Sequence, residues 1–252
     1  GRNRPADLPI LSDINKAIIK LNLKIQNDFD FSKWLKACQD WKKEEWAEVD
    51  RLKSSDDKPL HVLRVVKAVE DFFGNDAMLC IDGGDTQAWT DSTYNVDKSG
   101  MYVKGGPLGC MGVGVPFAIG SKVAFPERQV VLITGDGAVG MNLMEFETAV
   151  KHNIPFVCVV CNDQSWGMTK HQHWLTYGED KTPAGHELPF IKFHEIVIAM
   201  GGHGELVEDP KDLIPAMERA TKSGLPSLIN VMTNPNATSA ATHAITAMMT
   251  RT

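Results

Sequence analysis

Apolar positions along this chain fall into helical stripes that alternate, after the first fifth, with short unbroken runs. Residues 12–25 place Ile14, Ala17, Ile18 and Leu21 on one helical stripe, with Ser12 and Asp13 available to cap it. Residues 31–52 read as a second helix carrying Trp34, Trp41 and Trp46 among many charges, a face of the kind that packs on a neighbouring domain or subunit. The turn-like Ser54-Ser55-Asp56-Asp57-Lys58-Pro59 then breaks the pattern. Beyond it, residues 60–73 read as an amphipathic helix and 77–81 as a short strand. Residues 107–125 read as a glycine-rich apolar helix and 129–134 as a β-branched strand. A helix over 141–152, a strand over 156–161, a helix over 190–200 and a short strand over 205–207 follow. Residues 209–223 read as a well-capped helix and 227–232 as the last strand. Strands alternating with helices predict an α/β fold, a doubly wound and mostly parallel sheet with helices on both faces. From Thr233 onward the chain is rich in Ala, Thr and Ser and reads either as a mobile lid or as a frayed end. The expected organisation is a leading segment over 1–58, a main domain over 59–233 and a tail over 234–252.

Composition narrows this picture. The chain has 252 residues, 43% of them hydrophobic and 23% charged, enough to bury an ordinary globular core. A formal charge of −6 with scattered basic residues argues against a nucleic-acid partner. No apolar run approaches the roughly 20 residues that span a bilayer, and Gly1-Arg2-Asn3-Arg4-Pro5 lacks the apolar core of a signal peptide. A soluble cytoplasmic protein is therefore expected. Five cysteines at 38, 80, 110, 158 and 161 show no framework spacing. Cys158 and Cys161 form a C-x-x-C only formally. In a strand, residues three apart point to opposite faces, so both read as core positions.

In a doubly wound sheet, ligands bind beyond the carboxyl ends of strands. That rule selects residues 82–86, 135–141 and 162–167, where glycine and acidic residues interrupt the apolar pattern. Gly135-Asp136-Gly137-Ala138 offers backbone N–H groups at the start of a helix, which suits a phosphate. Asp136 would repel that phosphate unless a divalent cation sits between them. Magnesium takes about six oxygens, commonly one or two carboxylates with phosphate and water. Asn162-Asp163, ending the next strand, supplies the second set of oxygens.

Gly135-Asp136-Gly137, followed after 24 residues (138 to 161) by Asn162-Asp163, resembles the thiamin diphosphate fingerprint. The surrounding sequence resembles the acetolactate-synthase-like branch, which includes benzoylformate and oxalyl-CoA decarboxylases and 2-hydroxyacyl-CoA lyases. The resemblance covers residues 59–233, and Gly1 to Pro5 resembles the end of that family's middle domain. It implies the thiamin diphosphate-binding fold, with Asp136, Asp163 and the backbone carbonyl of Ser165 as magnesium ligands. Asp163, 27 positions after Asp136 (163 − 136), stands where the family usually has a second Asn. The change keeps an oxygen ligand and adds a negative charge.

The segment from Gly105 to Gly112 resembles the one that holds the aminopyrimidine ring, with Met111 25 residues before Asp136 (136 − 111). Met111 would wedge under the cofactor, and its N–H and the Gly109 carbonyl would bond the ring. The 82–86 loop, with Gly84, Asp85 and Thr86, would lie against the diphosphate through its N–H groups. Trp166, Gly167 and Met168 would line the substrate side of the thiazolium ring, and His171 and His173 could reach acyl or phosphate groups. Two histidines at i and i+2 point to different faces and make a poor metal site.

The resemblance implies an enzyme, a lyase or transferase with carboligase chemistry on 2-oxoacids. A 2-hydroxyacyl-CoA lyase or oxalyl-CoA decarboxylase-like activity on an acyl-CoA is the alternative. In this family a glutamate of a separate pyrimidine-binding domain starts the chemistry, so catalysis is expected to need that partner, in the same longer chain or a separate subunit. A homo-oligomer, dimer or tetramer, is expected with it. A non-catalytic cofactor-binding module is a second class. A nicotinamide-dependent dehydrogenase is disfavoured, because Asp82-Gly83-Gly84-Asp85 does not supply G-x-G-x-x-G.

Overall fold

The computed structural model describes residues 3–25, 29–181 and 184–250, apart from the side chain of Glu45. Gly1 and Arg2, at the start of the segment that resembles the family's middle domain, lie outside the described residues, as do the last two residues of the tail.

The chain divides into two compact units, residues 1–46 and 47–252. Helices α1 (Ile14–Lys24) and α2 (Ser32–Lys53) come first, and α2 crosses the division. Asp13 caps α1 by accepting from the Lys16 N–H, as its position before the apolar stripe predicts.

The second unit is built on one sheet. After α3 (Val62–Phe73) come β1 (Met78–Ile81), α4 (Asp85–Thr93), β2 (Tyr102–Lys104), α5 (Gly114–Ala124) and β3 (Val130–Gly135). Next are α6 (Asp136–Asn142), α7 (Glu145–Lys151), β4 (Val157–Asn162), α8 (Gly167–Tyr177) and α9 (Phe193–Ala199). The unit ends with β5 (His203–Val207), α10 (Leu213–Ser223), β6 (Ser227–Met232) and α11 (Ala240–Met249). The six strands run in the order β2-β1-β3-β4-β6-β5, and every pairing is parallel.

The four central strands β1, β3, β4 and β6 are buried on both faces, and alternate side chains feed two separate cores. Leu79, Ile81, Val131, Ile133, Val159 and Ile229 point to the face covered by Val65, Val69, Leu213 and Met217 of α3 and α10. Cys80, Leu132, Cys158, Val160 and Leu228 point to the other, against Val115, Ala118, Phe146, Phe193 and Val197 of α5, α7 and α9. Cys158 and Cys161 belong to opposite cores, as their spacing predicts. From β1 the chain steps outward to β2 and then returns to the other side of β1 to form β3. That reversal opens a crevice beyond the carboxyl ends of β1 and β3, the place where open α/β sheets bind ligands.

Three sequence expectations change, and one strand appears that the pattern did not predict. The glycine-rich half of the 107–125 stretch is loop, and the helix begins only at Gly114. Gly109 and Gly112 hold φ of 63° and 81°, outside the range of a right-handed helix. The helix expected over 141–152 is two helices, the first starting at Asp136 directly after β3. Strand β2 escapes the pattern because three residues are too few to show a period; its pairing with β1 makes it a strand. The tail is not frayed: it forms α11, with Ser239 capping it through the Thr242 N–H and with Thr242 and Thr246 buried.

Candidate functional site

The loops that leave β1, β3 and β4 close around one cavity of about 600 Å³. Its lining takes Gly84, Asp85 and Thr86 from the first loop and Gly135, Asp136 and Gly137 from the second. The third loop gives Asp163, Ser165, Trp166, Gly167 and Met168, while Gly109 and Met111 reach in from the loop before α5. The structure thus brings together the residues singled out in the sequence, except Ala138, whose side chain is buried in α6, and the two histidines of α8, His171 and His173. Gln87, Ala88, Asp91 and Ser92 of α4, with Ala241 and Ile245 of α11, also line it. Ala241 and Ile245 carry no sequence signal, because nothing local says that the tail folds back over the cavity.

Asp136 and Asp163 occupy equivalent places on adjacent strands. Gly135 pairs with Cys161 in the β3–β4 register, so the two carboxylates leave the sheet one residue apart in height. Asp136 is 4% exposed, and its Oδ1 accepts the Gly137 N–H at 2.8 Å. Asp163 is partly buried and accepts the Ser165 N–H at 3.1 Å. Two glycines permit the loops to come this close. A Cβ on Gly137 would stand 2.6 Å from the Trp166 ring, and one on Gly167 would stand 2.7 Å from the Asp163 carboxylate.

Burial, and then the charge of Asp163, push the Asp136 carboxyl up to about 7. Burial also raises Asp163, against the opposing pull of the Lys170 charge and the Ser165 hydrogen bonds. Two acids held together at the cost of ionisation form a site that accepts a cation. Among the described residues, no group of three or more His, Cys, Asp or Glu side chains is placed to hold a metal by itself. The donor set therefore fits a hard cation that completes its shell with a backbone carbonyl, phosphate oxygens and water, as magnesium does.

The third loop is tied down on both sides. Asn162 is fully buried; it donates from Nδ2 to Asn230 Oδ1 at 3.1 Å and accepts the Gln164 N–H through Oδ1 at 3.2 Å. Gln164 takes a left-handed φ of 56°, which turns the chain sharply after Asp163. The Trp166 N–H donates to the His186 carbonyl at 2.8 Å and the Leu188 N–H to the Gln164 carbonyl at 2.8 Å. In that antiparallel bridge Ser165 faces Glu187, so its own carbonyl lies outside the ladder.

Asp82 and Asp85 flank the first loop and do different work. Asp82 accepts the Gly83 N–H at 2.7 Å and the Gly114 N–H at 2.8 Å, joining the loop to the start of α5. The Asp85 carboxylate turns from the cavity toward α8 and α11. It accepts from Ser239 Oγ at 2.6 Å and Thr242 Oγ1 at 2.5 Å, and lies 2.7 Å from His171 Nδ1. Burial works to raise this carboxyl, but the bonds from His171, Ser239 and Thr242 outweigh it and hold it below the usual range. The Asp85 backbone stands at the N-terminus of α4, an arrangement suited to an anion.

His171 is 1% exposed and faces Asp85 and the Pro235 carbonyl, so its place is inside the fold rather than on the solvated helix face. His173 bonds the Lys181 carbonyl through Nε2 at 2.8 Å. Neither lines the cavity. Among the described residues, no helix is long and apolar enough to cross a membrane.

A family model described as the thiamine pyrophosphate enzyme C-terminal TPP binding domain matches residues 82–231. The acetolactate synthase large subunit IlvG of Mycobacterium tuberculosis is 40% identical over 191 residues, covering 75% of this chain and 34% of that protein. The 2-hydroxyacyl-CoA lyase 2 of Mus musculus is 30% identical over 210 residues, covering 81% of this chain and 32% of that protein. This chain thus spans about a third of the length of these relatives. A solved thiamine diphosphate-dependent 4-hydroxybenzoylformate decarboxylase of Rhodococcus jostii RHA1 shares the fold, with a TM-score of 0.65 at 24% identity over 71% of this chain and 33% of that one. With the crevice, the paired carboxylates and the glycine loops all inside or beside the matched span, the chain belongs to the thiamine pyrophosphate enzyme family, as its C-terminal cofactor-binding domain.

Proposed function

We propose that this chain is the diphosphate- and magnesium-binding part of an enzyme that makes or breaks a carbon–carbon bond beside a carbonyl, acting on 2-oxoacids as a carboligase or lyase. The observation that carries this reading is the pair Asp136 and Asp163, one buried and one partly buried carboxylate at adjacent strand ends on the wall of one cavity. In it, Asp136, Asp163 and the Ser165 carbonyl hold magnesium, while the N–H groups of the 84–86 and 135–138 segments hold the diphosphate. Thiamin diphosphate, when bound, supplies a nucleophilic carbon that adds to a carbonyl and an electron sink beside it. This chain's residues position that group and keep water from it. Met111 and Gly109, which line the cavity, would hold the aminopyrimidine ring, and Trp166 with Met168 would form the apolar wall on the substrate side.

The reading includes a partner, a pyrimidine-binding domain whose glutamate starts proton transfer, and a homo-oligomer whose site closes at an interface. It also includes a cytoplasmic location, for which five unpaired thiols speak. The resemblance to an acetolactate synthase subunit favours a 2-oxoacid substrate, and the resemblance to a 2-hydroxyacyl-CoA lyase keeps an acyl-CoA substrate as the second reading. Product analysis with pyruvate, against formyl-CoA plus a ketone, separates the two when a pyrimidine-binding partner is supplied; cofactor binding with turnover of neither, even with that partner, leaves a cofactor-binding module.

Asp136→Ala tests the site. Calorimetry with thiamin diphosphate and magnesium is expected to lose its magnesium-dependent signal in this variant, while circular dichroism keeps the helical content. Unchanged affinity would falsify the assignment.

A further inference from the structure

Lys170 is a buried cation in an unfavourable place. It is 6% exposed and sits in the first turn of α8, where the helix dipole opposes positive charge. Its Nζ donates to Ser165 Oγ at 2.9 Å and lies 5.0 Å from the Trp174 ring centroid. Ser165 is itself 5% exposed, and its N–H donates to Asp163 Oδ1 at 3.1 Å. The ammonium, the hydroxyl-bearing residue and the second carboxylate thus form one continuous chain of contacts into the cavity. Neither the ring nor the hydroxyl carries a negative charge; within this chain of contacts, Asp163 does.

We propose that Lys170 is the positioning residue of the cofactor site: its charge balances Asp163, and its bond to Ser165 aims the backbone that completes the metal's ligands. The inference rests on the magnesium and diphosphate reading above. With Asp136 and Asp163 both ionised, the site carries two negative charges before an anionic diphosphate arrives. Lys170 lowers that to one without touching the diphosphate itself. A neutral residue there leaves the loop with an excess of negative charge and Ser165 without its anchor.

The test is a charge-exchange series in the full chain, read by calorimetry with thiamin diphosphate and magnesium and by thermal melting. Lys170→Met is expected to weaken cofactor binding about tenfold or more, and Lys170→Arg to keep it within about threefold. Adding Asp163→Asn to Lys170→Met is expected to recover part of the lost affinity, because the charge that Lys170 balanced has gone. Wild-type affinity in Lys170→Met overturns the proposal, as does a double variant whose losses simply add. If Lys170→Met melts below the assay temperature, Lys170→Gln takes its place, and a double variant that melts no higher than this single one overturns the proposal too. The two readings fail differently: loss of the Asp136→Ala effect removes the metal site itself, whereas a silent Lys170 removes only its support.

Discussion

Asp85 Oδ2 and His171 Nδ1 lie 2.7 Å apart, and the other nitrogen of the same ring lies 2.9 Å from the Pro235 carbonyl. Both partners of the ring are acceptors, so a ring that bonds both at once donates from both nitrogens. The Asp85 carboxylate in turn takes the hydroxyls of Ser239 and Thr242, at the start of α11. One acid on the first cavity loop therefore fastens both α8 and the tail.

Asp85→Ala is expected to loosen that tail. It removes a buried carboxylate that three side chains donate to, a loss of about 3 kcal/mol or more. Melting should shift down, and limited proteolysis should open a new site between Thr233 and Met249. Asp85→Asn should lose less, since an amide keeps one acceptor. A tail as protease-resistant in Asp85→Ala as in the parent would show that α11 is held by its other packing alone.

Gly137→Ala separates binding from folding. The added methyl points at the Trp166 ring, 2.6 Å away, and the ring forms part of the cavity wall. Either the ring or the loop that carries Gly137 must move, at a cost of about 1–3 kcal/mol. Cofactor affinity is expected to fall at least tenfold, with a smaller change in melting temperature. Binding at parental strength would mean that Trp166 is free to rotate out of the way.

The site was legible in the sequence wherever its chemistry is local. Asp136 and Asp163 each follow a β-branched strand, and the two strands announce themselves by composition; parallel pairing then places their ends together. Lys170 and Asp85 were not legible in the same way. Each looks like an ordinary polar residue: Asp85 meets its partners only through the fold, Ser239 at 154 positions away, and Lys170 is buried although its partner Ser165 is only five positions away. The tail was ambiguous for the same reason. Thr242 and Thr246 carry no apolar stripe, and what buries them is the contact with α4 and α8. Strand β2 and the loop over 105–113 show the other limit: three residues hold no period, and an apolar run with glycine at left-handed φ mimics a helix it does not form.

The cysteines give a check on the two cores. Cys38 and Cys110 are exposed, while Cys80, Cys158 and Cys161 are buried. Burial pushes the Cys80 thiol up to about 11 and raises Cys158 and Cys161 as well. Thiolate is the reacting form, so these three are slow on two counts. Maleimide at neutral pH is expected to add two labels to the native protein and five after denaturation, counted by intact mass. Rapid labelling of Cys158 or Cys161 without denaturant would contradict their placement in the sheet.

The pH dependence of stability follows from Asp136. Its carboxyl stands near 7 in the fold against 3.8 for an unperturbed one, because of burial and then the Asp163 charge. Between those values the folded chain binds a proton that the unfolded chain releases. The associated stability is complete below about 4 and is lost as pH rises through 7, by an amount on the order of a few kcal/mol. Magnesium needs the ionised carboxylate, so binding at acid pH must displace that proton. Apparent cofactor affinity should therefore rise with pH up to about 7 and level off above it. Thermal melts at pH 6 and pH 8, with and without magnesium and thiamin diphosphate, read both effects. The ligand-induced rise in melting temperature should be larger at pH 8, and the ligand-free Asp136→Asn variant should lose less stability than the parent between the two. Parallel pH curves for parent and variant would place the titrating group elsewhere.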